Sequence, residues 1–271
     1  MPNKKLGLAL GLLLALGLVV VLVGALISRH SGQGTFEDAN THVEETDAHA
    51  AVRKAVLRTD PTNRPADFDW TNAEMGERKV DGLPVKSPFV TPPYDLSNPD
   101  LGVAVHDYVL VGRVERRAGT RHPDSQLRPQ TDYDVTVLEV IKGNIDAGQE
   151  IPITKDGGIS KDRSHVKFSY KNDFMLEAGG VYVFLVGVSS DGKELSVMSP
   201  FGTVPLEDDI AAELKRTKRP IGPDEQKAVS KILEKSEVFA RYVAAAENKD
   251  AAAKLPPEIR DRKRYKSVYE K

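Results

Sequence analysis

Two histidines and a glutamate near the amino end have the spacing that a metal site on a helix requires. His42, Glu45 and His49 lie at i, i+3 and i+7, so a helix would bring their side chains to one side. Zinc also needs a rigid scaffold that orients its ligands. These residues instead lie in an acidic stretch, from Ser31 to Val52, that contains no lysine or arginine and is typical of solvated chain. We favour a solvated helix face and predict no metal site.

A serine and a lysine in the middle of the chain form a second chemical candidate. Ser164 and Lys167 have the Ser-x-x-Lys spacing of serine acyl-enzymes, but the Ser-Asp-Asn and Lys-Thr-Gly companions of that motif are missing. The sequence also lacks a Gly-x-Ser-x-Gly elbow, a P-loop, a dinucleotide fingerprint and a His-Glu-x-x-His motif. We therefore predict no catalytic residue and no cofactor. An enzyme whose site is assembled from scattered residues is the alternative.

Basic residues in two predicted loops are the third candidate. In a small barrel, such loops can frame one binding face. The external location predicted below favours an anionic envelope polymer, a lipid headgroup or an acidic protein as the partner. Nucleic acid is disfavoured because few aromatic side chains interleave the cations. Ordinary solvated loop charges are the competing interpretation. The predicted ligand surface comprises Arg116, Arg117, Arg121 and Arg128 of the first loop and Lys161 and Arg163 of the second, where Lys155 is also predicted to be a loop charge.

Composition limits the function further. The chain of 271 residues has no cysteine, which excludes disulfides, thiolate metal sites, cysteine nucleophiles and a lipid-modified amino-terminal cysteine. Its net charge of −2 gives no global attraction to nucleic acid.

The segment that positions these candidates is a predicted central strand at residues 131–143. Tyr133, Val135 and Val137 alternate with polar residues, as in a half-buried strand. At Leu138 the alternation slips by one residue, which predicts a β-bulge. Gly143 then indicates a turn. The next strand contains Pro152, which donates no backbone hydrogen bond, so we expect an edge strand there.

Neighbouring segments complete a predicted sheet. Asn98, followed by Pro99, predicts a short helix, and a buried strand follows it at residues 108–114. Polar loops are predicted at 115–130 and 155–173. Another buried strand is predicted directly after Gly179 and Gly180. Asp191 and Gly192 then predict a hairpin that returns at residues 195–198. A short last strand is predicted at residues 201–206. Residues 207–216 predict a helix, and a longer helix runs from Pro223 to about Asn248.

A membrane anchor is predicted at the amino end. The uncharged apolar run begins at Leu6 and ends at Ile27, and as a helix it would span roughly 33 Å, enough to cross a bilayer core. Lys4 and Lys5 precede it and favour a cytoplasmic amino end. A cleaved signal peptide is the alternative, but its apolar region is usually only about 7–15 residues long. We favour a single-pass anchor with the rest of the chain outside the cytoplasm.

These observations divide the chain into six parts. They are a cytoplasmic end (1–5), a transmembrane helix (6–27), an acidic and then proline-rich tether (28–97), a β domain (98–206), a helical extension (207–248) and a basic tail (249–271). The predicted fold class is mainly β with flanking helices.

The order of segments also carries a family resemblance. DYVLVGRV, TDYDVTVLEVIKG and LEAGGVYVFLV, followed by a hairpin, resemble the small extracytoplasmic β domains of uncharacterised, membrane-anchored bacterial proteins, many from Gram-positive groups. Those domains are similar to the OB-like barrel of the tissue inhibitors of metalloproteinases. The resemblance covers residues 98–206 and implies a small OB-like β-barrel. It does not imply protease inhibition, because those inhibitors bind zinc through an amino-terminal cysteine. We expect a non-enzymatic binding module of the cell envelope, or alternatively a subunit of a membrane complex.

Overall fold

A computed structural model describes most of the chain beyond residue 73. The described residues are 46–47, 74–87, 98–122, 129–168, 170, 173–197, 201–217 and 221–270. The predicted transmembrane helix and the three residues of the metal candidate lie outside these ranges. Among the described residues, no helix is both long and apolar enough to cross a membrane.

The fold is mainly β with several helices, as predicted from the sequence, and its strands form two sheets. The predicted strands of the β domain are all present, although several have different ends. The strands are β1 (Glu74–Val80), β2 (Leu83–Ser87), β3 (Tyr108–Arg121), β4 (Gln130–Lys142), β5 (Glu150–Asp156), β6 (Gly158–Ile159), β7 (Val166–Lys167), β8 (Val181–Val188), β9 (Leu195–Val197) and β10 (Thr203–Pro205).

The larger sheet has the order β10-β8-β3-β4-β5-β9. β3 pairs with β4 and β8, and β4 pairs with β5, all antiparallel. The short strand β9 pairs with β5 in parallel and with β8 in antiparallel orientation. The pairings therefore form a closed circuit that links β8, β3, β4, β5 and β9.

The predicted bulge in the central strand is confirmed. Val111 pairs with Glu139 and Gly112 with Val137, so Leu138 is the extra residue of β4. Up to Val137, the alternate apolar side chains of β4 lie in the inner core, which the strands enclose. Leu138 instead lies in a second, outer core beneath the helices. The bulge thus lets one strand supply both cores.

The prediction of an edge strand at Pro152 is correct only locally. At Pro152 the register pairs β5 with β4 alone, so no second neighbour requires the missing N–H. Two residues later, Thr154 and Lys155 pair with β9 on the other side. β5 is therefore an edge at its beginning and an interior strand at its end.

Helices cover the outward face of β8, β3 and the end of β4. The helix at Asn98 is confirmed, since the Asn98 side chain accepts a hydrogen bond from the backbone N–H of Asp100. The long predicted carboxy-terminal helix is instead two helices, because Ser236 caps a new start by accepting from the N–H of Phe239. The helices are α1 (Pro99–Val105), α2 (Asp208–Leu214), α3 (Pro223–Leu233), α4 (Glu237–Glu247), α5 (Lys249–Ala253) and α6 (Pro257–Arg260).

A second sheet contains part of the predicted tether. β1 and β2 form a hairpin, and β2 pairs in parallel with β7, which pairs with β6. Val85 of β2 and Val166 of β7 both contribute to the inner core. Residues 74–87, which we assigned to the tether, are thus an integral part of the β structure.

The segment predicted as a basic tail is also part of the fold. Ile259 and Ser267 are buried, and the N–H of Ser267 donates to the hydroxyl of Tyr108 over 2.9 Å. The N–H of Val268 donates to the carbonyl of Gly192 in the β8–β9 turn. A Cβ on that glycine would lie 2.4 Å from the carbonyl oxygen of Lys266. Any larger residue at position 192 would therefore clash with the backbone of the tail.

Three cations surround the carboxy-terminal end of α1. Lys142 Nζ donates to the carbonyls of Val103 and His106, each over 2.6 Å, and Arg262 and Arg264 donate to neighbouring carbonyls. Free carbonyls at a helix end attract cations. Burial, helped by the charges of Arg264 and Arg262, nevertheless lowers the pKa of Lys142 to about 7.

This lowered pKa predicts a pH dependence of stability. Between pH 7 and 10 the unfolded chain keeps the Lys142 proton that the folded protein loses. The free energy of unfolding should therefore rise with pH, by at most about 1.4 kcal/mol per pH unit. Above pH 10 the trend should weaken, because burial raises the pKa of Tyr108 to about 12 and high pH then favours the unfolded chain. Urea unfolding at pH 7, 8 and 9 measures this slope. Lys142→Met should remove this contribution, and an equal slope in the variant would contradict the assignment.

Candidate binding face

The arginines of the predicted first loop lie on a strand instead. β3 continues to Arg121 because it pairs with β4 as far as Arg121 and Gln130. Arg116, Arg117 and Arg121 are thus fixed on regular structure, and the connection to β4 is shortened to residues 122–129. Arg128 lies outside the described residues.

Each of these three arginines forms an ion pair with a carboxylate. Arg116 pairs with Asp134 over 2.5 Å, and its side chain remains 66% exposed. Arg117 pairs with Asp81 in the turn between β1 and β2. The pairing leaves a surface of mixed charge where the sequence predicted a basic one.

Arg121 is the centre of a small polar cluster. Its Nε and Nη2 contact the two carboxylate oxygens of Asp132, each over 2.8 Å. Nη2 also donates to the hydroxyl of Thr154 over 2.8 Å, and that hydroxyl donates to Asp132 over 2.7 Å. A guanidinium held by two contacts to one carboxylate has a fixed plane and direction. We call Arg121, Asp132, Thr154 and Glu194 the Arg121 cluster.

Glu194 is the loosest member of the cluster. It lies after the β8–β9 turn, and its carboxylate accepts from Arg121 Nη1 over a longer distance of 3.3 Å. Burial raises the pKa of Glu194, while the charge of Arg121 opposes that shift. The cluster therefore joins three strands to a hairpin turn through one tight and one weak ion pair.

The two predicted loops meet near this cluster. The N–H of Gly157 donates to the carbonyl of Pro129, and the hydroxyl of Thr131 donates to the carbonyl of Gly157. Gln130 also donates to Asp156 over 3.1 Å. The end of the first connection and the beginning of the second are thus held together by hydrogen bonds.

The predicted residues of the second loop lie in a short turn between β6 and β7. Lys161 and Arg163 are both exposed. Arg163 has a φ of 57°, and its N–H donates to the carbonyl of Ser160 over 2.8 Å. Both cations lie at the protein surface in this turn.

The structure gives no support to the Ser-x-x-Lys arrangement. Ser164 lies in the exposed turn, where its hydroxyl bonds to Asp162 and to Nδ1 of His165. Lys167 lies on β7, in register with Lys86. Ser164 therefore contributes to a turn and does not begin a helix, as a serine acyl-enzyme would require.

Sequence reasoning missed two groups of residues. Asp132 and Thr154 are next to Tyr133 and Ile153, which lie in the inner core, so strand alternation could have placed both polar residues on the outward face. Lys155 was predicted to be a solvated loop charge, but it is 2% exposed and forms an ion pair with Asp173, which is 0% exposed. No local pattern marks that pair, because its partners come from segments 18 residues apart.

Comparison of the sequence with protein-family models and with curated proteins gave no significant match.

Proposed function

We propose that this protein is a membrane-anchored binding module of the bacterial cell envelope, not an enzyme, and that it contacts an anionic envelope polymer through the outward face of β4 and β5. The apolar segment from Leu6 to Ile27 would hold the β domain at the outer surface of the cell membrane. The observation that carries the proposal is the Arg121 cluster, a fixed polar group on the outward side of β4 and β5.

The strand pairings favour an OB-like barrel. The circuit β3-β4-β5-β9-β8, with a parallel pair between β5 and β9, follows the order 1-2-3-5-4 in which a five-stranded Greek-key barrel closes. OB-like barrels bind polymers on their second and third strands, between the loop after the first strand and the hairpin between the last two. This analogy indicates where a partner would bind. The identity of the partner depends on the chemistry of the residues there.

The Arg121 cluster lies at that location. Asp132 and Thr154 belong to the second and third strands of the circuit, Arg121 ends the first, and Glu194 belongs to the last hairpin. Among the described residues, the apolar outer core takes side chains from the second half of β4 only. In the first half of β4, the outward side chains of Asp132 and Asp134 are 26% and 18% exposed.

Exposed cations of the predicted ligand surface favour an anionic partner. Arg116, Lys161 and Arg163 are all exposed, whereas Arg121 is held by Asp132. The exposed cations would attract repeated phosphate or carboxylate groups, and Asp132 and Glu194 of the cluster would accept hydrogen bonds from hydroxyl groups of the polymer. Because such contacts are solvent-exposed, their contribution should fall as salt increases.

Binding of full-length protein to a defined polymer tests the proposal. In detergent, wild type should bind poly(glycerol phosphate) and not neutral dextran, with weaker binding at high salt. Reversing the three exposed cations, with Arg116→Glu, Lys161→Glu and Arg163→Glu, should weaken binding about tenfold or more, because several modest ion pairs are lost together.

A matched variant separates this face from net charge. Lys227→Glu, Lys231→Glu and Arg241→Glu change the charge equally on exposed positions of α3 and α4, and this variant should bind like wild type. Equal losses in the two variants, or no binding by wild type, would refute the proposed face.

A further inference from the structure

Two lysines lie side by side on the smaller sheet, at the parallel pair formed by β2 and β7. Lys86 and Lys167 are register partners. The residues before them, Val85 and Val166, are buried in the inner core. Since successive side chains of a strand point to opposite faces, both lysines lie on the opposite face of this sheet. Both residues are partly exposed.

His165 continues the same face. It lies two residues before Lys167, and its carbonyl accepts from the N–H of Ser160, which extends the β6–β7 pairing by one residue. Its side chain is 15% exposed. The imidazole is therefore held at the edge of the two-lysine pair, beneath the turn that contains Lys161.

Hydrogen bonds in this turn determine the tautomer of His165. The hydroxyl of Ser164 lies 2.9 Å from both carboxylate oxygens of Asp162, so its hydrogen points to Asp162. The same hydroxyl lies 2.7 Å from Nδ1 of His165 and must accept the hydrogen from that nitrogen. Hydrogen bonds from Ser160 and Ser164 hold the pKa of Asp162 well below its usual range. The series of hydrogen bonds from His165 through Ser164 therefore ends at an ionised carboxylate. Nε2 of His165 consequently carries a lone pair.

That Nε2 is buried and has no hydrogen-bond partner among the described residues. A buried polar atom without a partner is unfavourable and calls for an explanation, such as a bound ligand. Burial lowers the pKa of His165, and the charges of Lys167 and Lys86 lower it further, while Asp162 opposes them. The imidazole is thus neutral near pH 7, with its lone pair beside two positive charges.

We propose that Lys86, His165 and Lys167 form a binding site for a phosphate group, inorganic or as a monoester. The lysines supply the positive charge, and Nε2 shares a proton with one phosphate oxygen. Inorganic phosphate keeps at least one proton at pH 7, whereas a phosphate monoester, whose second pKa is about 6, keeps one on only about a tenth of its molecules, so the contact favours inorganic phosphate. Sulfate carries no such proton at this pH, and its oxygens would face the lone pair of Nε2 unfavourably. The site therefore prefers phosphate to sulfate.

This site shares none of its three residues with the proposed polymer-binding face, although Lys161 and Arg163 of that face lie in the turn that precedes His165. The polymer experiment leaves Lys86, His165 and Lys167 unchanged, so the two sets of variants test different side chains. Failure of one proposal therefore does not decide the other.

NMR of the full-length protein with labelled histidine tests the site. At pH 7 and constant ionic strength, inorganic phosphate should shift the His165 ring signals to saturation, and sulfate should bind more weakly. Glycerol phosphate as a second probe distinguishes a phosphate monoester from free phosphate as the natural ligand. Lys86→Gln and Lys167→Gln should each weaken phosphate binding about tenfold, the effect of one charge-assisted hydrogen bond. Lys193→Gln, an exposed lysine elsewhere, is the matched control and should leave the affinity unchanged.

Replacement of the histidine gives a second readout that does not depend on overall affinity. An amide can donate to either anion, so His165→Gln should bring the affinities for phosphate and sulfate together. Thermal unfolding of each variant verifies that it is folded. Equal affinities for the two anions in wild type, shifts that do not saturate, or unchanged affinity in both lysine variants would overturn the proposal.

Discussion

Lys155→Met is expected to lower the free energy of unfolding by about 3–5 kcal/mol, the usual effect of removing one partner from a buried ion pair. The change leaves the carboxylate of Asp173 fully buried, with a 2.9 Å hydrogen bond from the N–H of Phe174. The second carboxylate oxygen has no hydrogen-bond partner among the described residues. Methionine fits the space of the lysine chain, so lost packing contributes little. Urea unfolding at pH 7 measures the loss.

The double variant Lys155→Met with Asp173→Leu separates the charge from the fold. With both charges removed, the inner core gains two apolar side chains and most of the lost stability should return. Lys235→Met is the control, because this exposed lysine pairs with Glu213 at the surface, and its loss should change stability little. A double variant as unstable as Lys155→Met would mean that the pair is required for the fold itself.

Alternation of apolar residues predicted the strands because it reports burial directly. Tyr133, Val135 and Val137 occupy the inner core, and the slip at Leu138 is a real bulge that moves this residue to the outer core. A short-range pattern also located the start of α1, since capping depends only on Asn98 and its neighbours. These features depend on residues close together in the sequence, so the sequence alone is enough.

Features that depend on distant partners were not predictable in the same way. β3 extends to Arg121 only because β4 begins opposite it at Gln130, and arginine-rich sequence by itself resembles a loop. β6 and β7 have two residues each and are strands only through their pairing with each other and with β2. The long predicted helix divides at Ser236, where Glu207 of a distant segment accepts from the serine hydroxyl over 2.6 Å.

The same distinction applies to the candidate site. The sequence identified Arg116 and Arg121, but not the carboxylates that pair with them. Asp134 is directly opposite Arg116 in the register, and Glu194 reaches Arg121 from a hairpin 73 residues away. Charge composition therefore predicted where the cations lie, while their neutralisation follows from strand pairing.

Arg262→Met is expected to destabilise the protein about as strongly as Lys155→Met, by about 3–5 kcal/mol, although residue 262 belongs to the basic tail. Nη2 of Arg262 donates to the carboxylate of Asp107 over 2.8 Å, and the two side chains are 3% and 4% exposed. The other oxygen of that carboxylate accepts from the N–H of Val188 over 3.1 Å. Asp107 thus connects the tail to β8, and without Arg262 it becomes a buried charge that lacks its cation.

Lys266→Met removes the same charge from the same tail, but this side chain is 90% exposed, so stability should remain near that of wild type. Comparing the two variants by urea unfolding therefore separates burial of the pair from the overall charge of the tail.

Hydrogen exchange adds a spatial readout. In Arg262→Met, the amides of Ser267 and Val268, which donate to Tyr108 and Gly192, should exchange faster, because the tail loses its strongest attachment. Unchanged exchange at those two amides, together with wild-type stability, would mean that the tail is not held by its buried ion pair.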